Sequence, residues 1–104
     1  MTRLNADEVR DVLLSAWTTL QFESFLTTPL NEQSRYVLEQ RVNFNITRQR
    51  SLGYLRADAD VQARVVLNSN GDLFIVLVDG DGVPYEANYR PFLHTDKSDD
   101  RMKP

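Results

Sequence analysis

Apolar positions in the C-terminal half of the chain predict an antiparallel sheet. The longest uninterrupted apolar run, Leu73 to Val78, is six residues long and rich in β-branched and aromatic types. Asn-Gly and Asp-Gly turn signals bound the run at 68–71 and 79–82. We therefore predict three antiparallel strands in a meander, at about 61–68, 72–79 and 83–90.

The central strand is apolar on both faces, whereas each flanking strand has one apolar and one mostly polar face. The core face of this strand carries Leu73, Ile75 and Leu77, and the opposite face carries Phe74, Val76 and Val78. Two interpretations of Phe74, Val76 and Val78 are open. Neighbouring side chains or the C-terminal tail cover these residues, or they form an apolar patch that binds a partner. Pro84 and Pro91 place the third strand at an edge of the sheet.

Before residue 60 the apolar spacing is helical. Asn5 and Glu8 suit the N-cap and third position of a helix, and an apolar stripe follows as far as Leu20. We predict a first helix from about 6 to 22, with a possible continuation through Phe25, and Trp17 as a core anchor. Pro29 follows and breaks the helix, and Asn31 caps the second helix.

The second helix is predicted over about 32–53, with Gly53 as a left-handed cap. Val37, Leu38, Val42, Ile46 and Leu52 fit one helical face. Residues 42–47 also alternate like a strand, so a short helix followed by a strand is the alternative. A polar link over 55–60 leads to the sheet.

These elements predict an α+β fold, with two antiparallel helices packed on one face of a three-stranded antiparallel meander. Residues 1–92 form the single domain. Residues 93–104 have almost no apolar content, and we expect a mobile polar tail.

Residues that support catalysis or bind metals are sparse. The chain has no cysteine, which excludes disulfides and thiolate sites, and its single histidine, His94, has no second histidine for a zinc or iron site. Asp79-Gly80-Asp81-Gly82 resembles a calcium loop, but its spacing to Glu86 does not fit an EF-hand, so we interpret it as a hairpin turn. We predict no catalytic residue, no cofactor and no metal site.

Charge and hydropathy favour a protein partner. The net charge is −3, which argues against general affinity for nucleic acid, and no apolar run reaches membrane-spanning length. We expect a soluble intracellular protein, or a virion component assembled in the host cytoplasm. Arginines are spaced along the second helix, either as a solvated face or as a contact surface for acidic groups of a neighbouring chain. They are Arg35, Arg41, Arg48, Arg50 and Arg56.

One stretch of the chain resembles a known family. The order is Phe25, Pro29-Leu30-Asn31-Glu32, Tyr36-Val37-Leu38, Arg41-Val42-Asn43 and Leu52-Gly53-Tyr54-Leu55, followed by a strand. Over residues 9–67 this succession resembles the C-terminal domain of contractile phage tail sheath proteins. The resemblance implies a non-enzymatic assembly module whose terminal arms add strands to the sheets of neighbouring subunits.

We therefore expect a non-enzymatic assembly or interaction module, a structural component of a phage tail or neck. It would bind copies of itself or other assembly subunits through the second sheet face, the third-strand edge and the termini. The candidate interface residues are Phe74, Val76, Val78, Arg41, Arg48 and Arg90. The alternative is a small mobile-element-encoded inhibitor or regulator that binds a host protein complex.

Overall fold

A computed structural model describes residues 2–25 and 31–85 of the chain. The elements are helix α1 (Ala6–Phe25), helix α2 (Glu32–Leu52), strand β1 (Gln62–Leu67) and strand β2 (Leu73–Val78). The two strands are antiparallel, with Arg64 opposite Val76 and Val66 opposite Phe74. The α+β class, the two helices and the antiparallel sheet are thus confirmed.

Side-chain caps fix where the helices begin. The Asn5 side chain accepts from the Glu8 N–H at 2.8 Å, and the Glu8 carboxylate accepts from the Asn5 N–H at 2.9 Å. The second helix repeats this capping box with Asn31 and Ser34, at 3.0 and 2.8 Å. It ends at Gly53, whose φ of 86° is accessible at little cost only to glycine.

Residues 42–47 are helical, which settles the ambiguity in the sequence. A strand would have put Val42, Phe44 and Ile46 on one side. The helix instead buries Val42 and Ile46 together with Leu38, four residues apart each time, and turns Phe44 to solvent. These residues form a helix and not a strand because the helix gives α2 one continuous apolar stripe to pack against the sheet.

The core lies between the helices and one face of the sheet. One face of each strand is buried, as the strand parity predicts: Ala63 and Val65 of β1, and Leu73, Ile75 and Leu77 of β2. Leu20 and Leu38 are among the largest fully buried side chains, and burying a leucine contributes about 2 kcal/mol. Trp17 is partly buried and packs against the same cluster.

The described sheet has two strands, and the predicted third strand is not among the described elements. Asp79 and Gly82 close a turn, with a Gly82 φ of 83°. Pro84 then forms an isolated antiparallel bridge to Val78, and the Tyr85 N–H donates to the Leu77 carbonyl at 2.9 Å. Residues 86–90 lie outside the described part of the chain, so the third strand stays a prediction.

The link over 55–60 is more structured than its polar composition predicts. Leu55 and Ala59 are buried in the core. Thr2 pairs alongside the link, donating its N–H to the Asp58 carbonyl and accepting from the Asp60 N–H, both at 2.9 Å. The N-terminal segment therefore covers the link, and the description of 55–60 as a simple polar connection is corrected.

Candidate protein-interaction site

The outer face of the sheet holds two of the predicted contact residues. Phe74 and Val76 are partly exposed there, beside the exposed Val66. Val78 is only 4% exposed, because the chain turns after it and brings Pro84 back against it, so Val78 offers no surface to a partner here. Arg90 lies outside the described residues. We call Val66, Phe74 and Val76 the sheet patch.

The arginines divide into two groups. Arg35, Arg50 and Arg56 turn toward the protein and bond to backbone or acidic groups, whereas Arg41 and Arg48 are exposed on α2. Neither Arg41 nor Arg48 forms an ion pair with any residue that the structure describes. Of the three predicted interface arginines, Arg41 and Arg48 are therefore exposed without a described ion pair, and Arg90 lies outside the described residues.

The inward-facing side chains of α2 close the free edge of β1. Asn43 donates to the Ala63 carbonyl at 2.9 Å and accepts from the Ala63 N–H at 2.7 Å, as a neighbouring strand would. Glu39 accepts from the Val65 N–H at 2.9 Å, and Arg35 donates to the Val65 carbonyl at 2.7 Å.

Arg50 extends this closure toward the start of the strand by donating to the Ala59 and Val61 carbonyls, at 3.1 and 2.8 Å. A partner strand cannot add to β1 without displacing these bonds.

At the opposite edge of the sheet, the described residues leave part of the β2 backbone unpaired. Backbone groups of an antiparallel strand point alternately to its two sides. The Tyr85 bond to Leu77 therefore places the N–H and C=O groups of Leu77, Ile75 and Leu73 on the edge away from β1. Among the described residues, none forms a backbone hydrogen bond with Ile75 or Leu73 on that side.

Arg56 has a structural role at the helix N-terminus. Its guanidinium bonds to both Glu8 carboxylate oxygens, at 2.6 and 2.8 Å, and to Asp58 at 2.9 Å. The bond from Arg56, followed by the backbone bond from Asn5, lowers the pKa of Glu8 to about 2. Asp58 also has a lowered pKa, because Thr2 and Arg56 donate to its carboxylate. These charges stabilise the fold and are not free for a partner.

Arg41 and Arg48 belong to a solvent-facing stripe on α2. Val37, Arg41, Phe44 and Arg48 are spaced by four, three and four residues, so they follow one line along the helix, and all are exposed. Phe44 is 67% exposed and lines a shallow depression with Arg41 and neighbouring polar residues. The stripe thus combines apolar side chains with two charges.

A second exposed stripe runs along α1. Asp11, Leu14, Thr18 and Phe22 have spacing of three, four and four residues, and Leu14 and Phe22 are 57% and 65% exposed.

The two stripes lie on the same side of the helical layer, away from the sheet, because both helices bury their opposite faces in the core. Ser15 connects the helices, bonding to Asn45 at 3.2 Å and to Gln49. We call the two stripes together the helical face.

The predicted contact residues therefore do not form one site. The sheet patch and the helical face lie on opposite sides of the core. Val37 and Leu52 fit the same predicted helical face as Leu38, Val42 and Ile46, but they are exposed whereas those three are buried. Leu14, Phe22 and Phe44 were missed, although the spacing of Phe44 from Val37 and Arg48 is a signal in the sequence.

Within the described ranges, no cluster of histidine or acidic residues has the arrangement to hold a metal ion. The Asp79 carboxylate, in the loop that resembles a calcium site, accepts from the Val83 and Asp81 N–H groups and pairs with Arg3. The bond from Val83 is the first cause of its lowered pKa. Neither α1 nor α2, as far as each is described, is apolar enough to cross a membrane.

Comparison of the chain with protein-family models, with curated proteins and with solved structures gives no match. The resemblance of residues 9–67 to the sheath domain therefore stays a prediction.

Proposed function

We propose that this protein is a non-enzymatic assembly module that binds neighbouring protein subunits. The observation that supports this function best is the helical face, where exposed aromatic and aliphatic side chains surround two arginines without a described ion pair. Of the nine large apolar side chains that are exposed in the described residues, six lie on the two helices. Aromatic residues and arginine are the types enriched at protein interfaces.

The sheet supports a second mode of contact. Its β1 edge is closed by α2, whereas at its β2 edge no described residue bonds to the backbone of Ile75 or Leu73. We propose that residues 83–90 continue along this edge as the predicted third strand, whose outer side then becomes the edge offered to a neighbour. Strand addition would supply main-chain hydrogen bonds, and the sheet patch would supply apolar contact.

The resemblance to the sheath domain supports a more specific proposal, a structural component of a phage tail or neck. In such an assembly one subunit meets several neighbours, so it needs more than one contact surface. A helical face and a sheet patch on opposite sides of one small domain meet this requirement. The proposed partners are copies of this chain or other subunits of the same assembly.

A photo-crosslinking side chain placed at position 44 tests the function in the cell that produces the protein. Illumination is expected to give adducts with another protein chain, because position 44 is central in the helical face. The matched control is the same group at position 54, where Tyr54 is exposed outside both helices. Absence of any protein adduct at position 44, or equal adducts at both positions, would refute the helical face as a binding surface.

The alternative function is a small regulator that binds an acidic surface of a host protein complex. The specific observation in its favour is that Arg41 and Arg48 lack a described ion pair in a chain whose net charge is −3. For this alternative, the position-44 adduct would contain one copy of this chain and one different protein. Arg41→Glu together with Arg48→Glu would abolish that adduct.

A further inference from the structure

We infer that the helical face is the interface of a two-fold symmetric homodimer, in which α1 of one copy lies antiparallel on α2 of the other. This inference rests on the proposed function and names the partner of the same surface: a second copy of the chain. The result would be a four-helix layer with one sheet on each outer side.

The geometry follows from how the helices are arranged in one copy. They are antiparallel, because Glu8 near the start of α1 bonds to Arg56 just after the end of α2. Ser15 on α1 is level with the stretch between Asn45 and Gln49 on α2. A two-fold axis parallel to the helices and lying in the interface exchanges the positions of α1 and α2 without moving residues along the axis. Residues at the same height in one copy are therefore opposed in the dimer.

This register opposes complementary groups. Phe44 is level with Thr18, so it falls between Leu14 and Phe22 of the second copy, each about one helical turn away. Arg48 is level with Leu14 and lies within one turn of Asp11. Apolar groups thus meet apolar groups, and each arginine at position 48 meets a carboxylate. The two-fold axis produces both contacts twice.

The helical face is also large enough to form a dimer interface. The helices contain 20 and 21 residues, so each is about 30 Å long at 1.5 Å per residue. Two helices side by side, each about 10 Å across, present roughly 600 Å² of projected area. This approaches the roughly 800 Å² of accessible surface that each partner buries in a standard interface. The charge of Arg48 is matched by this chain's own α1, which favours a second copy over an unrelated partner.

Mixing two charge variants tests the dimer. Light scattering is expected to give about 24 kDa for the wild type, twice the 12.0 kDa of one chain. Asp11→Arg and Arg48→Asp, each alone, oppose like charges at both symmetry-related contacts and are expected to weaken association at least tenfold. An equimolar mixture of the two variants restores opposite charges at both contacts of the heterodimer, so the dimer mass should return.

Restoration by mixing cannot come from a change inside one chain, because each variant keeps its own two like charges. A wild-type monomer at all concentrations would overturn the dimer, and so would a mixture that stays monomeric. A dimer that neither variant weakens would overturn this geometry. An adduct between position 44 and a different protein, with a monomeric wild type, would reject the dimer and leave the proposed function standing.

Discussion

Acidic neighbours one helical turn away distinguish Arg35 from Arg41 and Arg48 on α2. Arg35 has Glu32 three residues before it and Glu39 four residues after it, and it pairs with both. The corresponding positions around Arg41 and Arg48 hold only apolar or uncharged residues. Because oppositely charged side chains at this spacing meet on a helix, the sequence itself distinguishes Arg35 from Arg41 and Arg48. Arg50 has no acidic residue at this spacing, and it turns inward to the Ala59 and Val61 carbonyls instead.

The ion pair between Glu8 and Arg56 predicts a pH dependence of stability. The pKa of Glu8 in the folded protein is about 2, below its ordinary value of 4.5. The pair therefore contributes fully above pH 4.5, and its contribution is lost as the pH falls toward 2. Denaturant unfolding should show that wild type is more stable than Glu8→Gln at pH 7 and that the two converge near pH 2.

Glutamine at position 8 preserves the capping box with Asn5, so the comparison isolates the charge. A stability difference between the two proteins that stays constant from pH 7 to pH 2 would contradict the assignment.

At the scale of elements, the main feature is a strand edge closed by side chains of a helix. Asn43 bonds to the backbone of Ala63 through both the nitrogen and the oxygen of its side-chain amide, and Glu39 and Arg35 bond to the backbone of Val65. The bonds hold α2 along β1 while Leu38, Val42 and Ile46 fill the core. The same contacts protect the edge from pairing with another chain.

Asn43→Leu is expected to lower the free energy of unfolding by about 1–3 kcal/mol, because it leaves the Ala63 N–H and C=O without their partner. Chemical denaturation measures the loss. The control is Gln40→Leu, an exposed position on the same helix, which should change stability by less than about 0.5 kcal/mol. Equal effects of the two substitutions would show that the edge bonds contribute nothing specific.

The β2 edge that the described residues leave unpaired gives a prediction for the third strand. If residues 83–90 pair along it, the amides of Ile75 and Leu73 should be protected from hydrogen exchange in the full chain. A chain that ends at Tyr85 should lose this protection but keep that of Ala63 and Val65, which bond to α2. Amide hydrogen-exchange rates measured by NMR test whether the third strand forms. Rapid exchange at Ile75 and Leu73 in the full chain would rule out the strand.

Local signals predicted the elements well, because caps, turns and strand parity act over a few residues. The caps at Asn5, Asn31 and Gly53 are examples, and so is the core face of β2. The failures involve longer-range packing. Leu55 is buried in the core, and Thr2 bonds to the backbone of Asp58 and Asp60, and the apolar spacing along the chain shows neither feature.

The candidate site was predicted in part for the same reason. The composition of α2 identified Arg41 and Arg48, but the helix carries two apolar stripes, one with Leu38 and one with Phe44. The packing of α2 against α1 and the sheet decides which stripe is buried. Val37 was therefore predicted on one face with Leu38 although it belongs to the exposed stripe.

For the whole molecule, the two candidate surfaces lie on opposite sides of one core and need not compete for the same partner. A two-fold dimer through the helical face leaves both sheet patches and both β2 edges on the outside. Contacts through those outer sides could then join dimers into larger assemblies. The two surfaces are therefore expected to act at different stages of association.

Single substitutions on the two surfaces separate these stages. Phe44→Asp places a charge in the dimer contact and should give a folded monomer. Val76→Asp places a charge on the sheet patch and should leave the dimer while abolishing anything larger. Light scattering over a concentration series measures both, and thermal unfolding checks that each variant remains folded. Loss of folding in Val76→Asp would assign that side chain to the core, and loss of its dimer would show that the surfaces are not independent.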